Sequence, residues 1–187
     1  RVKQLDLDSY KSNLNIYKLR FEKIKNLFDD ASSIIEIGAG DGGFLNYISE
    51  KCNIDEYACL EIDKSTKLIR DKNKNLRQYV SFDQIDNKSF DIVCLFHVLE
   101  HIIDPVEFLS KCRKLLKNNG KLIIEVPSLN DPLLDLYKIS EYEKFFFQKQ
   151  HPYTYNGKSL SKLLETADFI VKNLIPHQRY DLENHLK

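Results

Sequence analysis

The sequence predicts an α/β fold with a mostly parallel central sheet and helices on both faces. Short apolar runs of strand length alternate with longer stretches of helical periodicity. The first run enters a knot of glycines, and a helix leaves it, as in sheets that bind ligands at the carboxyl ends of their strands. No repeat, low-complexity tract or linker divides the 187 residues, so one domain is expected.

Residues 6–28 carry Leu14, Tyr17, Leu19, Phe21, Ile24, Leu27 and Phe28 at roughly helical spacing among polar residues, which predicts an amphipathic helix. Residues 1–30 are read as a helical lid packed on the core, and 31–187 as the main domain. The first strand is Ser33–Ile37. Four of the six glycines follow within Gly38–Gly43, where they let the backbone bend sharply and approach a ligand. Phe44, Leu45, Ile48 and Cys52 mark the next helix face.

Tyr57–Asp63 is a second apolar run ending in acids, and Ser65 is placed to cap a short helix carrying Leu68 and Ile69. A third strand is expected near Tyr79–Phe82, then a turn at Asp86–Ser89. Phe90–Phe96 reads as a buried strand. Asp104, Pro105 and Glu107 form a helix start: a capping acid, a proline at the first position and an acid three after the cap. Phe108, Leu109, Cys112, Leu115 and Leu116 supply its buried stripe, and Asn118-Asn119-Gly120 is read as its end. Lys121–Val126 is the fifth strand, and 128–155 is read as irregular and aromatic. Ser159–Ala167 is expected to be a helix and Phe169–Ile175 a sixth strand.

Lys+Arg and Asp+Glu are both 28, which removes electrostatic support for general polyanion binding, and no Asn-Pro-Pro-Tyr-type base-flipping motif occurs. No nucleic-acid partner is expected. No apolar run approaches the ~20 residues that span a membrane, and neither a membrane span nor a signal peptide is expected. Cys52, Cys59, Cys94 and Cys112 contain no CxxC pair and are read as reduced core residues rather than a zinc site, which favours a cytoplasmic location. No metal site is expected. The chain has no methionine, so Arg1 is read as a processed or trimmed end, and trimming of the far end is allowed for too.

The glycine spacing alone is ambiguous. Gly38, Gly40 and Gly43 satisfy the G-x-G-x-x-G dinucleotide fingerprint, while Glu36-x-Gly38-x-Gly40 also fits an adenosyl-cofactor bend. Glu61, at the end of the second run, is placed to accept both hydroxyls of a ribose, with Asp63 behind it. Phe96 and His97 end the fourth strand, where they can wall a cofactor. A nicotinamide enzyme usually needs a further substrate domain, and only about sixty residues follow the fifth strand.

Over residues 30–175 the chain resembles class I S-adenosylmethionine-dependent methyltransferases. The matching pieces are Ile35–Gly42, Leu60-Glu61-Ile62-Asp63, Ser89–Val93 running on to Val98-Leu99-Glu100-His101, and Leu115–Leu122, where Asn118-Asn119 replaces the family's Pro-Gly. The resemblance implies a Rossmann-like methyltransferase fold. That fold has seven strands; six can be placed here, so the final one is expected to be missing. It also implies that S-adenosyl-L-methionine is the cofactor and S-adenosyl-L-homocysteine the product. By it, Glu36 orients the loop and holds the cofactor's amino group, and Gly38, Ala39 and Gly40 contact its methionine part. Glu61 holds the ribose, Ile62 lies against the adenine, Asp83 reaches the adenine amine, and Phe96 and His97 flank the methionine end.

His151, in Gln150–Tyr155, is the candidate base. This stretch resembles the Glu-His-x-x-Tyr-Phe run of sugar C-methyltransferases, with Gln150 in place of Glu. His101, in the Leu-Glu-His run, is read as structural. Gln178–Leu186 resembles a segment of methyltransferases of surface-polysaccharide assembly. The preferred acceptor is therefore a small molecule, a sugar or glycan intermediate such as a nucleotide sugar. The alternatives are a protein or quinone acceptor, or a catalytically silent cofactor-binding module of a larger glycan-assembly protein.

Overall fold

β1 (Ser33–Ile37) has all five residues buried, as a strand covered on both faces must. In the computed structural model, which describes residues 2–62 and 75–176, it lies at the centre of a five-stranded sheet. The others are β2 (Glu56–Leu60), β3 (Leu76–Tyr79), β4 (Phe90–Phe96) and β5 (Leu116–Glu125). Their order is β3-β2-β1-β4-β5, and every pairing is parallel. The chain runs outward from β1 to β3, then returns to lay β4 against the other side of β1. The crevice at the carboxyl ends of β1 and β4 is therefore the switch point where ligands bind such sheets.

The period-two alternation of strands separates two cores. Ile35, Ile37, Ala58, Leu60, Val93 and Leu95 face Leu109, Cys112 and Leu115 of α3 (Pro105–Leu115) and Leu160 of α6 (Gly157–Thr166). Ile34, Tyr57, Cys59, Ile92, Cys94 and Phe96 face Tyr17 of α1 (Val2–Ile24) and Phe44, Leu45 and Ile48 of α2 (Gly43–Ser49). Full burial of one such side chain contributes about 1.5–3 kcal/mol. Three of the four free cysteines are buried in these cores and the fourth is half-buried, and burial pushes the Cys112 thiol up to about 12. No helix among the described residues is long and apolar enough to cross a membrane.

Asp104 caps α3 by accepting from the Glu107 N–H at 3.0 Å, with Pro105 at the first position. The Glu107 carboxylate does not complete a capping box; it pairs with Lys111 at 2.8 Å, one turn on. At the amino ends of the strands, opposite the crevice, Asp91 clasps strand starts together. Its Oδ2 accepts from the N–H groups of Ser32 and Ser33 and from Lys117 Nζ, at 2.9–3.0 Å.

Several expectations are corrected. Phe169–Ile175 is not a strand: it makes no ladder, and Ile170, Leu174 and Ile175 are exposed. α3 ends at Leu115, before Asn118-Asn119-Gly120, because buried Leu116 already pairs with Phe90. The Asn-Asn-Gly segment instead bulges β5, so that Lys121 is the next residue in register, opposite Ile92, with Asn119 at φ 64°. β3 begins earlier than expected, and Phe82 lies in a 3-10 turn. In α1 the buried phase runs through Tyr17, Arg20 and, past the helix end, Phe28, whereas Leu14 and Leu19 face solvent. Residues 128–155 hold two short helices, α4 (Pro132–Asp135) and α5 (Ser140–Phe146). α6 starts at Gly157, where Asn156 and Ser159 cap each other. Asp63, the Ser65 helix and the Gln178–Leu186 segment lie outside the described residues.

Candidate active site

The site is built on the bend after β1. Gly38 donates its N–H to Leu60 O at 2.8 Å, the last bond between β1 and β2. Gly38, Gly40 and Gly42 then take φ values of 72°, 53° and 79°, which L side chains rarely adopt. A Cβ on Gly38 would stand 2.5 Å from Val98 Cγ2, so the turn after β4 packs directly on this backbone. A Cβ on Gly40 would meet nothing within 4 Å, so the loop's outer face is open. Ala39, buried, accepts from the Gly42 N–H at 2.8 Å. Asp41 Oδ1 accepts the Gly43 N–H at 2.8 Å and the Tyr17 hydroxyl at 3.5 Å, joining α1 to the bend.

Glu61 reaches back from the end of β2. Its backbone N–H donates to Tyr79 O, and its Oε2 accepts the Gly40 N–H at 2.7 Å. The acid and the glycine loop are thus one assembly. Glu36 lies beneath it, 4% exposed, on the α1–α2 side. Burial pushes its carboxyl up to about 8, opposed by the Arg20 cation and reinforced by the charges of Asp41, Glu61 and Glu125. Glu36 Oε2 is buried with no hydrogen-bond partner among the described residues. Ile62, 75% exposed, follows Glu61 and offers a flat apolar wall. Asp83 is exposed in the turn after β3.

Phe96 and His97 are held from within. The Phe96 ring meets Phe44 edge-on at 4.9 Å, and the Arg20 guanidinium lies 4.0 Å from its centroid. His97 adopts φ 57°. Its Nε2 stands 2.9 Å from Glu125 Oε1, and its Nδ1 stands 3.2 Å from Glu100 Oε1. Arg20 donates twice to Glu125, from Nε at 2.9 Å and from the terminal nitrogen at 2.8 Å. Burial alone would raise the Glu125 carboxyl; the bonds from Arg20 and His97 outweigh it and hold the group well below the carboxylate range.

The His151 and His101 rings meet in a T-shaped arrangement, centroids 4.7 Å apart. Each Nδ1 faces a backbone carbonyl: Gln150 O at 2.9 Å from His101, and Phe146 O at 3.0 Å from His151. A carbonyl only accepts, so each Nδ1 carries a proton, and in the neutral tautomer this fixes, Nε2 is the nitrogen with the lone pair. A 570 Å³ cleft lies along the neighbouring residues, walled by Ile103, Val106, Tyr153, Tyr155 and Leu163.

Glu36, Gly38, Ala39, Gly40 and Glu61 are thus brought together, with Ile62 beside them. Sequence reasoning passed over Arg20, Glu100 and Glu125. Glu125 had a visible signal, an acid ending the apolar run Leu122-Ile123-Ile124, as Glu61 ends its own. Arg20 lay at helical spacing between Tyr17 and Ile24 and was passed over because it is charged.

A family model for a methyltransferase domain matches residues 12–173. The chain belongs to this methyltransferase-domain family. A ubiquinone biosynthesis O-methyltransferase of Caulobacter vibrioides is 36% identical over 81 residues, which cover 43% of this chain and 31% of that protein. A carboxy-S-adenosyl-L-methionine synthase of Nautilia profundicola is 29% identical over 145 residues, 68% of this chain and 59% of that one. The chain therefore spans less than two thirds of these relatives' length. Among solved structures, an S-adenosylmethionine-dependent methyltransferase from Archaeoglobus fulgidus superposes with a TM-score of 0.63 at 20% identity, covering 81% of this chain and 66% of that one. A plantazolicin methyltransferase, in complex with a monoazolic desmethylPZN analog and S-adenosylhomocysteine, gives 0.65 at 16%, covering 87% and 68%. The fold is the Rossmann-like methyltransferase fold, and the cofactor that goes with it is S-adenosylmethionine.

The residues present fit that cofactor. Open space stands over Gly40, a carboxylate flanks it, and an orphaned buried acid oxygen lies below. The carboxylates of Asp41 and Glu61 at the bend favour a ligand bearing sulfonium and ammonium charge.

Proposed function

We propose that this domain transfers a methyl group from S-adenosylmethionine to a small acceptor, a sugar or glycan intermediate. The observation that carries the transferase reading is the Glu61–Gly40 hydrogen bond, which sets a ribose-holding acid against an open glycine loop at the switch point. S-adenosylmethionine supplies a methyl made electrophilic by its sulfonium. Glu61 takes the ribose hydroxyls, Ile62 and Asp83 take the adenine, and the backbone of Gly38–Gly40 meets the methionine carboxylate. Glu36 accepts from the amino group, and Phe96 and His97 shape that end of the site. His151 serves the acceptor: in its neutral form its Nε2 lone pair would take the proton of the attacking nucleophile.

The sugar acceptor rests on the Gln150–Tyr155 and Gln178–Leu186 resemblances. A second reading, a phenolic quinone precursor, is favoured by the Caulobacter relative and suits the apolar cleft beside Tyr153. Incubation with methyl-labelled S-adenosylmethionine and a panel of nucleotide sugars and catechols tests both. Label on a nucleotide sugar is expected, and label on catechols alone replaces the sugar reading. Cofactor binding without turnover on any acceptor makes the domain a silent binding module.

A further inference from the structure

Glu100 and His101, in the turn after β4, converge with His151, between α5 and α6, with one ligating atom from each within 4.8 Å of the others. Glu100 is 2% exposed. Its Oε1 faces His97, but its Oε2 is buried with no hydrogen-bond partner among the described residues. An orphaned buried carboxylate oxygen costs free energy that a cation would recover. The two imidazoles are set for the same occupant. Each Nδ1–H is fixed on a backbone carbonyl, the second contact that metal-ligating histidines use to fix tautomer and ring orientation. In that tautomer each neutral ring offers its Nε2 lone pair, which a metal ion accepts.

We propose that Glu100, His101 and His151 bind a divalent first-row transition metal ion. Two imidazoles with one carboxylate suit zinc, iron, cobalt or manganese better than magnesium or calcium. Ligand atoms around such an ion stand about 3.4 Å apart, so the rings close by about an ångström on binding, a movement open to exposed His101. Three protein ligands leave a coordination position for the acceptor. The site rests on the reading of His151 as the residue that serves the acceptor, and it changes how His151 does so. A hydroxyl bound to the ion has a lowered pKa and gives its proton to solvent. Its oxygen then forms the new bond to the methyl carbon as the carbon–sulfur bond breaks, with the electron pair staying on sulfur. His101 acquires a function in place of a structural role.

Chelator-treated protein titrated with Co²⁺ reports binding through the visible d–d bands of the ion, and Zn²⁺ competition reports the same site. Saturable one-to-one binding is expected, weakened about tenfold or more by each of Glu100→Gln, His101→Ala and His151→Ala. Titration with S-adenosylhomocysteine serves as the folding control and should be unchanged in His101→Ala, whose side chain is exposed. No saturable binding, or binding that survives all three substitutions, overturns the proposal. If no ion binds while His151→Ala still loses turnover, the metal site falls and the base reading stands. If the ion binds on these three residues while no acceptor is methylated, the site stands and the catalytic reading falls.

Discussion

Arg20, on the first helix, and Glu125, at the end of the last strand, form a two-bonded ion pair across the whole α1–sheet interface, at 2.9 and 2.8 Å. Their side chains are 7% and 16% exposed, so water screens them little. The pair closes over Phe96 and fixes α1 to the carboxyl edge of the sheet. Removing one partner of a buried pair leaves the other charge uncompensated, at a cost of about 3 kcal/mol. Arg20→Ala should therefore lower unfolding stability in urea by about that amount, and Arg20→Met with Glu125→Gln should recover part of it. A loss under about 0.5 kcal/mol would mark the pair as an ordinary surface contact.

Gly38 and Val98 touch where a methyl group cannot fit. Gly38→Ala forces its Cβ against Val98 Cγ2 and holds an L residue at φ 72°. It should destabilise the fold by about 2 kcal/mol, and Val98→Ala should relieve the steric share in a double-mutant cycle. Gly40→Val behaves differently. Its Cβ clashes with nothing, so the fold should survive with about 1–2 kcal/mol of backbone strain, while the side chain fills the space over the loop. Calorimetry should find no binding of S-adenosylhomocysteine; retained affinity would move the cofactor elsewhere.

Glu36 makes stability depend on pH in a defined direction. Its folded pKa, about 8, lies above the ordinary value of 4.5, so the folded state binds more protons between those limits. Stability from this group is complete below about pH 4.5 and is lost as pH rises through 8. Asp91 acts in the opposite sense. Burial raises its pKa, but bonds from Lys117, Ser33 and Ser32 outweigh that and depress it, so its contribution is lost as pH falls below the ordinary 3.8. In thermal melts from pH 5 to 9, Glu36→Gln should match the wild type at pH 5 and melt several degrees higher at pH 9, at about 2–4 °C per kcal/mol. Parallel curves would place the titrating group elsewhere.

Much of this was legible because strands buried on both faces leave unbroken apolar runs. Ser33–Ile37 and Phe90–Phe96 match β1 and β4 residue for residue, and Asp104-Pro105 set the start of α3. The glycine bend and Glu61 were legible through backbone chemistry local to each. What escaped depended on partners distant in the chain. Phe169–Ile175 has strand composition but pairs with no strand. Arg20 and Glu125 are 105 residues apart, and each looks like a surface charge until the fold joins them. Glu100 sits in the Leu-Glu-His run, yet its orphaned oxygen appears only once His101 and His151 meet.

The most direct measurement is calorimetric titration of the protein with S-adenosylhomocysteine and, separately, with NADH. Expected is one-site binding of S-adenosylhomocysteine, weakened about tenfold or more by Glu61→Ala through loss of charge-assisted ribose hydrogen bonds, with no NADH binding. Tight NADH binding with none of S-adenosylhomocysteine would contradict it and return the Gly38–Gly43 bend to the dinucleotide folds.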